Sequence, residues 1–304
     1  MYDITAIGEL LIDFTPDGKG GMVPNPGGAP CNFLAAAARC GAKTAFIGKV
    51  GADAFGARLK KVMEDCRVDV SGLIEDDRYF TTLAFVHLSE DGDRSFSFAR
   101  KPGADMMLEL SEIDFGKVLD SRLLHFCGSL SLTDDPCRSA VLETVRRARE
   151  SGVLVSFDVN LREPLWKDLG GAKRELLNGV SSADIVKLSE EELGFLGFSE
   201  PEEILERCGA RMVMLTMGAM GASLMTKNAS CRVFAPPVNA VDTTGAGDIF
   251  GGSAMVELLA AQKDIEELDE FDLMRIGSFA CAMASYSTEK QGGIPSIPDP
   301  MRFI

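Results

Sequence analysis

Histidine is nearly missing from this chain: 304 residues contain two, His87 and His125. So few leave little room for His-based triads or His-ligated metals, and both are read as structural. The eight cysteines (31, 40, 66, 127, 137, 208, 231 and 281) form no C-x-x-C pair and fall mostly within apolar or helical patterns. That suits reduced thiols and argues against a zinc site or a disulfide framework. Positive charge is also short. The 31 Lys and Arg stand against 46 Asp and Glu, giving a formal charge of −15 and a pI near 4.7, which repels both a nucleic-acid backbone and an anionic membrane. No stretch approaches the ~20 apolar residues of a spanning helix, and Met1-Tyr2-Asp3-Ile4 shows neither a basic n-region nor an apolar h-region. The expectation is a cytoplasmic protein with neither nucleic acid nor membrane as partner. A Walker A loop, G-x-x-x-x-G-K-[ST], occurs nowhere.

What is present is a periodic α/β pattern in a chain that is 46% hydrophobic, with a mean hydropathy of +0.07. Short β-like runs (Ile4 to Ile7, Thr44 to Ile47, Leu123 to Phe126, Val153 to Phe157, Ile185 to Leu188, Met212 to Thr216) alternate with helix-like stretches such as Asn32 to Cys40, Phe55 to Cys66 and Pro136 to Ser151. Alternation of this kind predicts a mostly parallel sheet with helices on both faces. Thr81 to His87 and Arg94 to Ala99, about an Asp91-Gly92 turn, break the rhythm and read as an antiparallel hairpin. A hairpin inserted into such a series packs beside the main sheet. The expectation is one α/β domain over residues 1–304, with a small β-rich lid from roughly 14–28 and 80–104.

The run Val241-Asp242-Thr243-Thr244-Gly245-Ala246-Gly247-Asp248 leads into the apolar helix-like stretch Ile249 to Ala261 and is expected to follow a strand. Small residues let a ligand approach the backbone, and the first N–H groups of a helix are open donors at the positive end of its dipole, so the turn suits an anion such as phosphate. Phe250 stands where a dinucleotide fingerprint needs its third Gly or Ala, which makes a Rossmann dehydrogenase a minor option. Asp248 has two readings: a first-turn acid favoured by the dipole, or a general base taking a hydroxyl proton beside a transferring phosphoryl group.

Together with Gly27-Gly28-Ala29-Pro30-Cys31-Asn32 and Gly48 to Gly56, this D-T-T-G-A-G-D run resembles the ribokinase-type carbohydrate kinases, the pfkB family. Within it, Phe96-Ser97-Phe98-Ala99-Arg100 with Ala104-Asp105, Gly128-Ser129-Leu130-Ser131-Leu132 and Asp158-Val159-Asn160-Leu161-Arg162 look most similar to bacterial fructokinases. The resemblance implies a ribokinase-like fold and a set of roles. Asp248 would be the base and Gly245, Ala246 and Gly247 would hold the γ-phosphoryl charge. Asp13, Gly27, Gly28 and Asn32 would bind sugar, with Lys49 either beside them or on the surface. Asn32 alone also reads as a helix N-cap. Lys187 and Glu190 occupy the place of the family's Asn-x-x-Glu element, Glu190 in the shell of Mg²⁺ and Lys187 against phosphate. Thr216, Gly218 and Gly221 would flank the nucleotide, and Asp242 with Gly292 to Ser296 marks an option for K⁺. Arg100 and Arg162 could reach into the cleft beneath the lid, where relatives acting on acidic or phosphorylated sugars also carry arginines.

The activity implied is ATP-dependent phosphorylation of a primary sugar hydroxyl, D-fructose to fructose 6-phosphate, with Mg²⁺ and a homodimer through the lid as further implications. The rivals are a 2-keto-3-deoxygluconate, ribose or nucleoside-type kinase of the same fold and, from another class, a non-catalytic sugar or nucleotide sensor.

Overall fold

The computed structural model describes residues 1–88 and 94–303; the Asp91-Gly92 turn and the side chain of Phe96 lie outside what is described. The chain runs β1 (Tyr2–Ile7), β2 (Leu11–Pro16), β3 (Met22–Gly27), α1 (Ala29–Arg39), β4 (Thr44–Gly51), α2 (Ala54–Asp65), β5 (Val68–Asp76), β6 (Leu83–Leu88) and β7 (Arg94–Ala99). It continues through α3 (Phe115–Leu119), β8 (Ser121–Cys127), α4 (Cys137–Glu150), β9 (Leu154–Asp158), α5 (Leu169–Ser181), β10 (Ile185–Ser189), α6 (Glu190–Leu196) and α7 (Glu202–Arg207). It closes with β11 (Met212–Thr216), β12 (Ala222–Thr226), β13 (Ser230–Val233), α8 (Ala246–Ala260) and α9 (Glu270–Ser287).

Nine strands form one sheet in the order β13-β12-β11-β10-β9-β8-β1-β4-β5, parallel from β11 to β5, with β12 and β13 added antiparallel at one edge. Its central strands are buried and mostly apolar because both faces are covered, while the edge strands β5 and β13 carry polar residues. Residues an odd number of positions apart supply opposite cores: Ile4, Leu123, Ile185 and Met212 pack with α1, α2, α8 and α9 on one side, while Ile7, Leu124, Val186 and Val213 pack with α4 and α5 on the other. The second sheet, β3-β2-β6-β7, has four strands. It begins at Leu11, earlier than the expected residue 14, so Asp13 lies within strand β2 of this sheet rather than at the end of a strand of the body.

The strand that precedes the Gly-rich turn is β13, which ends at Val233, and an extended segment containing Pro236 and Pro237 carries the chain from it to the turn. Prolines lack the N–H a ladder needs, so the β-like residues there cannot pair. The residues that bring the turn into place come instead from α1 and α8, which pack closely because a Cβ on Gly252 would overlap the carbonyl of Phe33. No helix among the described residues is long and apolar enough to cross a membrane.

From β1 the chain adds β4 and β5 on one side of the sheet, and from β8 it adds β9, β10 and β11 on the other. Loops leaving the carboxyl ends of β1 and β8 therefore diverge, opening the crevice in which parallel α/β sheets bind ligands.

Candidate active site

Residues far apart in the chain meet at this crevice. The N-terminus of α8 points into it, with Gly245 at the cap in left-handed backbone (φ 75), a conformation that would strain any other residue. Asp248 follows within the first turn and is buried. Asn32 Nδ2 donates to Asp248 Oδ2 at 2.9 Å, and Asn160 Nδ2 approaches Oδ1 at 3.5 Å. Asn32 lies inside α1, with Gly28 at the cap, so the N-cap reading of Asn32 is wrong. Its Oδ1 is buried without a hydrogen-bond partner among the described residues. Burial, with Asp158 nearby, pushes the Asp248 carboxyl up to about 7. Desolvation thus outweighs the helix dipole, which by itself would favour the ionised form.

Asp13 enters from β2. Burial pushes its carboxyl up to about 6, while the charge of Arg162 pulls the other way and Glu9 and Asp242 add to the rise. Gly27 makes room for it, since a Cβ there would overlap Asp13 Oδ2. Arg162 is exposed, its Nη1 donates to the Leu161 carbonyl at 3.1 Å, and its charge acts on both Asp13 and Asp248.

Arg100 does not join them. Its guanidinium is buried, donating to Asp105 Oδ2 (2.7 Å), Thr133 Oγ1 (2.8 Å) and the Leu130 carbonyl (3.0 Å). The sugar contact expected of it is corrected to a brace between the small sheet and the body. The signal lay in its own segment, because Asp105 five residues on is the charge a buried arginine requires. Lys49 likewise faces neither solvent nor the crevice; it is buried on Asp76 (3.3 Å), Glu112 (2.6 Å) and the Met107 carbonyl (2.8 Å).

On the other flank, Lys187 ends up buried below the Gly-rich turn, its Nζ 2.8 Å from Asp158 Oδ2 and 3.2 Å from where a Cβ on Gly247 would stand. Glu190 is exposed at the first position of α6. The acid of that turn which reaches Lys187 and Asp158 is Glu192, whose carboxylate accepts from the Leu161 N–H (2.7 Å) and the Ser189 N–H (2.8 Å). Thr216 closes β11 with its hydroxyl on the Leu188 carbonyl (3.2 Å), and Gly218 and Gly221 bound the short turn that follows. Asp242 is not a free ligand for a cation. Its carboxylate accepts from the Thr244 N–H (3.0 Å), the Thr244 hydroxyl (2.7 Å) and the Gly292 N–H (2.9 Å), tying the Gly-rich turn to the C-terminal loop. Within the turn, Ala246 N–H is directed to the Thr243 carbonyl at 3.2 Å.

Sequence reasoning assigned nothing to Glu9, yet Glu9 is fully buried after β1 and accepts from Ser129 Oγ (2.6 Å), Ser131 Oγ (3.0 Å) and Ala29 N–H (3.3 Å). It fixes the loops after β1 and β8 to the start of α1. Asp158 and Asn160 were quoted only within a longer motif. A charged residue closing an apolar strand was the available clue.

A profile of the pfkB family carbohydrate kinases matches residues 1–300. The chain belongs to that family. Similar members include Fructokinase-2 of Zea mays, 38% identical over 307 residues that cover 97% of this chain and 91% of the maize protein. A Xylella fastidiosa fructokinase solved with bound ATP superposes with a TM-score of 0.91 at 30% identity, covering 99% of this chain and 97% of the other. A Vibrio cholerae fructokinase solved with fructose, ADP and calcium gives a TM-score of 0.87 at 34% identity, over 98% and 96%. The fold is therefore ribokinase-like and the protein a carbohydrate kinase, a phosphotransferase acting on a sugar hydroxyl.

Proposed function

We propose that this pfkB kinase transfers the γ-phosphoryl group of ATP to the primary hydroxyl of D-fructose, giving fructose 6-phosphate and ADP. The observation that carries the reading is the buried Asp248 carboxylate at the N-terminus of α8, held by amides rather than by cations. Such a carboxylate can take a hydroxyl proton as the oxygen attacks phosphorus, while the helix end with Gly245, Ala246 and Gly247 faces the developing phosphoryl charge. Asp13 and the unpartnered Asn32 Oδ1 offer acceptors to further sugar hydroxyls, and Gly27 and Gly28 bring the backbone close. Thr216, Gly218 and Gly221 after β11, with Lys187 beneath the Gly-rich turn, would serve the nucleotide. Among the described residues no group of three or more acidic, His or Cys side chains could hold a metal ion by itself. A Mg²⁺ ion would be carried mainly by the triphosphate oxygens, whose charge it would neutralise, and exposed Glu190 would order its water. K⁺, if it acts, would be held by backbone carbonyls near Asp242, since the carboxylate is occupied.

The sugar-acid rival needs arginines free to grip a carboxylate. Arg100 is consumed by Asp105, Thr133 and Leu130, leaving Arg162 alone against Asp13 and Asp248. That balance favours a neutral sugar. Eight cysteines, unpaired in the structure, suit the reducing cytoplasm. The small sheet, with Met22, Val23 and Phe80 exposed near it, would serve as lid and as homodimer surface. An ADP-release assay with Mg·ATP and fructose, ribose or 2-keto-3-deoxygluconate decides the substrate, with fructose expected to give the highest kcat/KM. A sugar acid better by tenfold, about 1.4 kcal/mol in transition-state binding, overturns fructose. Silence with every sugar favours the sensor.

A further inference from the structure

Strand β9 ends on a carboxylate that the mechanism above does not use. Asp158 is buried, its Oδ2 accepts from Lys187 Nζ at 2.8 Å, and its Oδ1 is buried with no hydrogen-bond partner among the described residues. An ion pair that merely joined β9 to β10 would do better with that oxygen satisfied or with apolar residues in its place. Lys187 lies against the catalytic turn, 3.2 Å from the position of a Gly247 Cβ. Two residues beyond Asp158, Asn160 adopts left-handed backbone (φ 39) and turns its amide toward Asp248 Oδ1. The end of β9 is thus built around Asp248.

Several titratable or charged groups face Asp248 from the surrounding elements. Asp158 comes from β9, Lys187 from β10, Arg162 from the loop after β9, Cys31 from α1 and Cys127 from β8. Burial drives both thiols well above their ordinary range, so they are neutral. Arg162 is exposed and its field is screened by solvent. The charges left to act through protein rather than water are Asp158 and Lys187.

We propose that the Asp158–Lys187 pair, through the opposed fields of its two members, sets the pH at which Asp248 becomes competent as a base. Asp158 is then a positioning residue that acts through Asp248. This rests on reading Asp248 as the base. The sign is fixed by charge. Removing the Asp158 carboxylate takes away a negative charge and leaves the Lys187 ammonium, then faced by Glu192, to favour the ionised form of Asp248; removing the ammonium leaves the Asp158 carboxylate uncompensated and disfavours it.

The test is the acidic limb of kcat/KM against pH, with fructose and Mg·ATP, in the full-length protein. Asp158→Asn should move the limb down by about one unit and Lys187→Met should move it up by about one unit, whatever each does to the plateau. The opposed directions separate tuning from general damage, which lowers the plateau without moving the limb. Should one variant fail to fold, the other still carries the sign. A limb that stays in place, or moves the same way, in the variants that fold overturns the proposal. An Asp248→Asn enzyme with near-normal kcat instead overturns the base assignment beneath it.

Discussion

Two sets of buried or half-buried aspartates lie beyond the sheet's carboxyl edge, and the chain surrounds them in opposite ways. Asp76, closing β5, accepts from Arg78 Nε (3.0 Å), Arg78 Nη2 (2.7 Å) and Lys49 Nζ (3.3 Å), and Asp105 takes the guanidinium of Arg100 together with the Thr82 hydroxyl. The Arg78 side chain, with Lys49, holds Asp76 well below the usual carboxylate range. Asp248 is buried and Asp13 half-buried, but neither accepts a hydrogen bond from a cation: around them stand amides, other acids, the exposed Arg162 and, near Asp248, a Lys187 ammonium already paired with Asp158, and both are driven upward. A carboxylate matched by cations is fixed as a charge and holds parts together. One left without them remains able to exchange a proton or accept one from a ligand.

The comparison breaks first if neutralising Asp248 is harmless. Asp248→Asn removes the acceptor for the hydroxyl proton and should lower kcat by ~10²–10⁴ while sugar binding, measured by calorimetry, stays close to wild type. The matched set should respond in stability instead. Asp76→Asn removes the carboxylate shared by Lys49 and Arg78 and leaves the buried ammonium to Glu112 and the Met107 carbonyl, an effect on the order of 1–3 kcal/mol that a urea titration at pH 7 will register, with activity per folded molecule retained.

The two sets also differ in the sign of their pH dependence. Asp76 is depressed in the folded state, so its stabilisation is present above the unfolded carboxylate value near 4 and is lost as pH falls. Asp248 is raised, so its stabilising contribution is present below that value and is lost as pH rises through about 7. Asp248→Asn should therefore melt a few degrees above wild type at pH 8, with the gap shrinking towards pH 5 in differential scanning fluorimetry. An Asp248→Asn protein less stable than wild type at pH 8 would mean that its carboxylate belongs with the structural set.

Much of this contrast was hidden in the sequence. The strand and helix alternation, the paired runs of β6 and β7 and the glycine turn were legible because each rests on local periodicity or on residues with special backbone freedom. Asp248, Asp13, Asn32 and Gly27 could be named because their motifs are short and contiguous. The partners of Lys49 could not, since a cation's fate depends on which carboxylate the fold brings to it; Arg100 alone carries its partner, Asp105, in its own segment. Lys49 finds Glu112 only because the segment after β7 packs back against β4.

The mildest test concerns Asp13, whose raised carboxyl should give sugar affinity its own pH dependence, separate from that of the chemical step. With Asp13 ionised, both its oxygens accept from hydroxyls; protonation makes one of them a donor and weakens the match. KM for fructose should therefore rise as pH falls through about 6, whereas kcat begins to fall nearer 7 with Asp248. Asp13→Asn keeps the shape, loses the charge, and should raise KM by roughly tenfold, in line with one charge-assisted hydrogen bond. The sharper readout is the profile, because KM in that variant should be flat between pH 5 and 8. A KM that still climbs on acidification would show that the titrating group is elsewhere, and Asp13 would move to the structural side of the comparison.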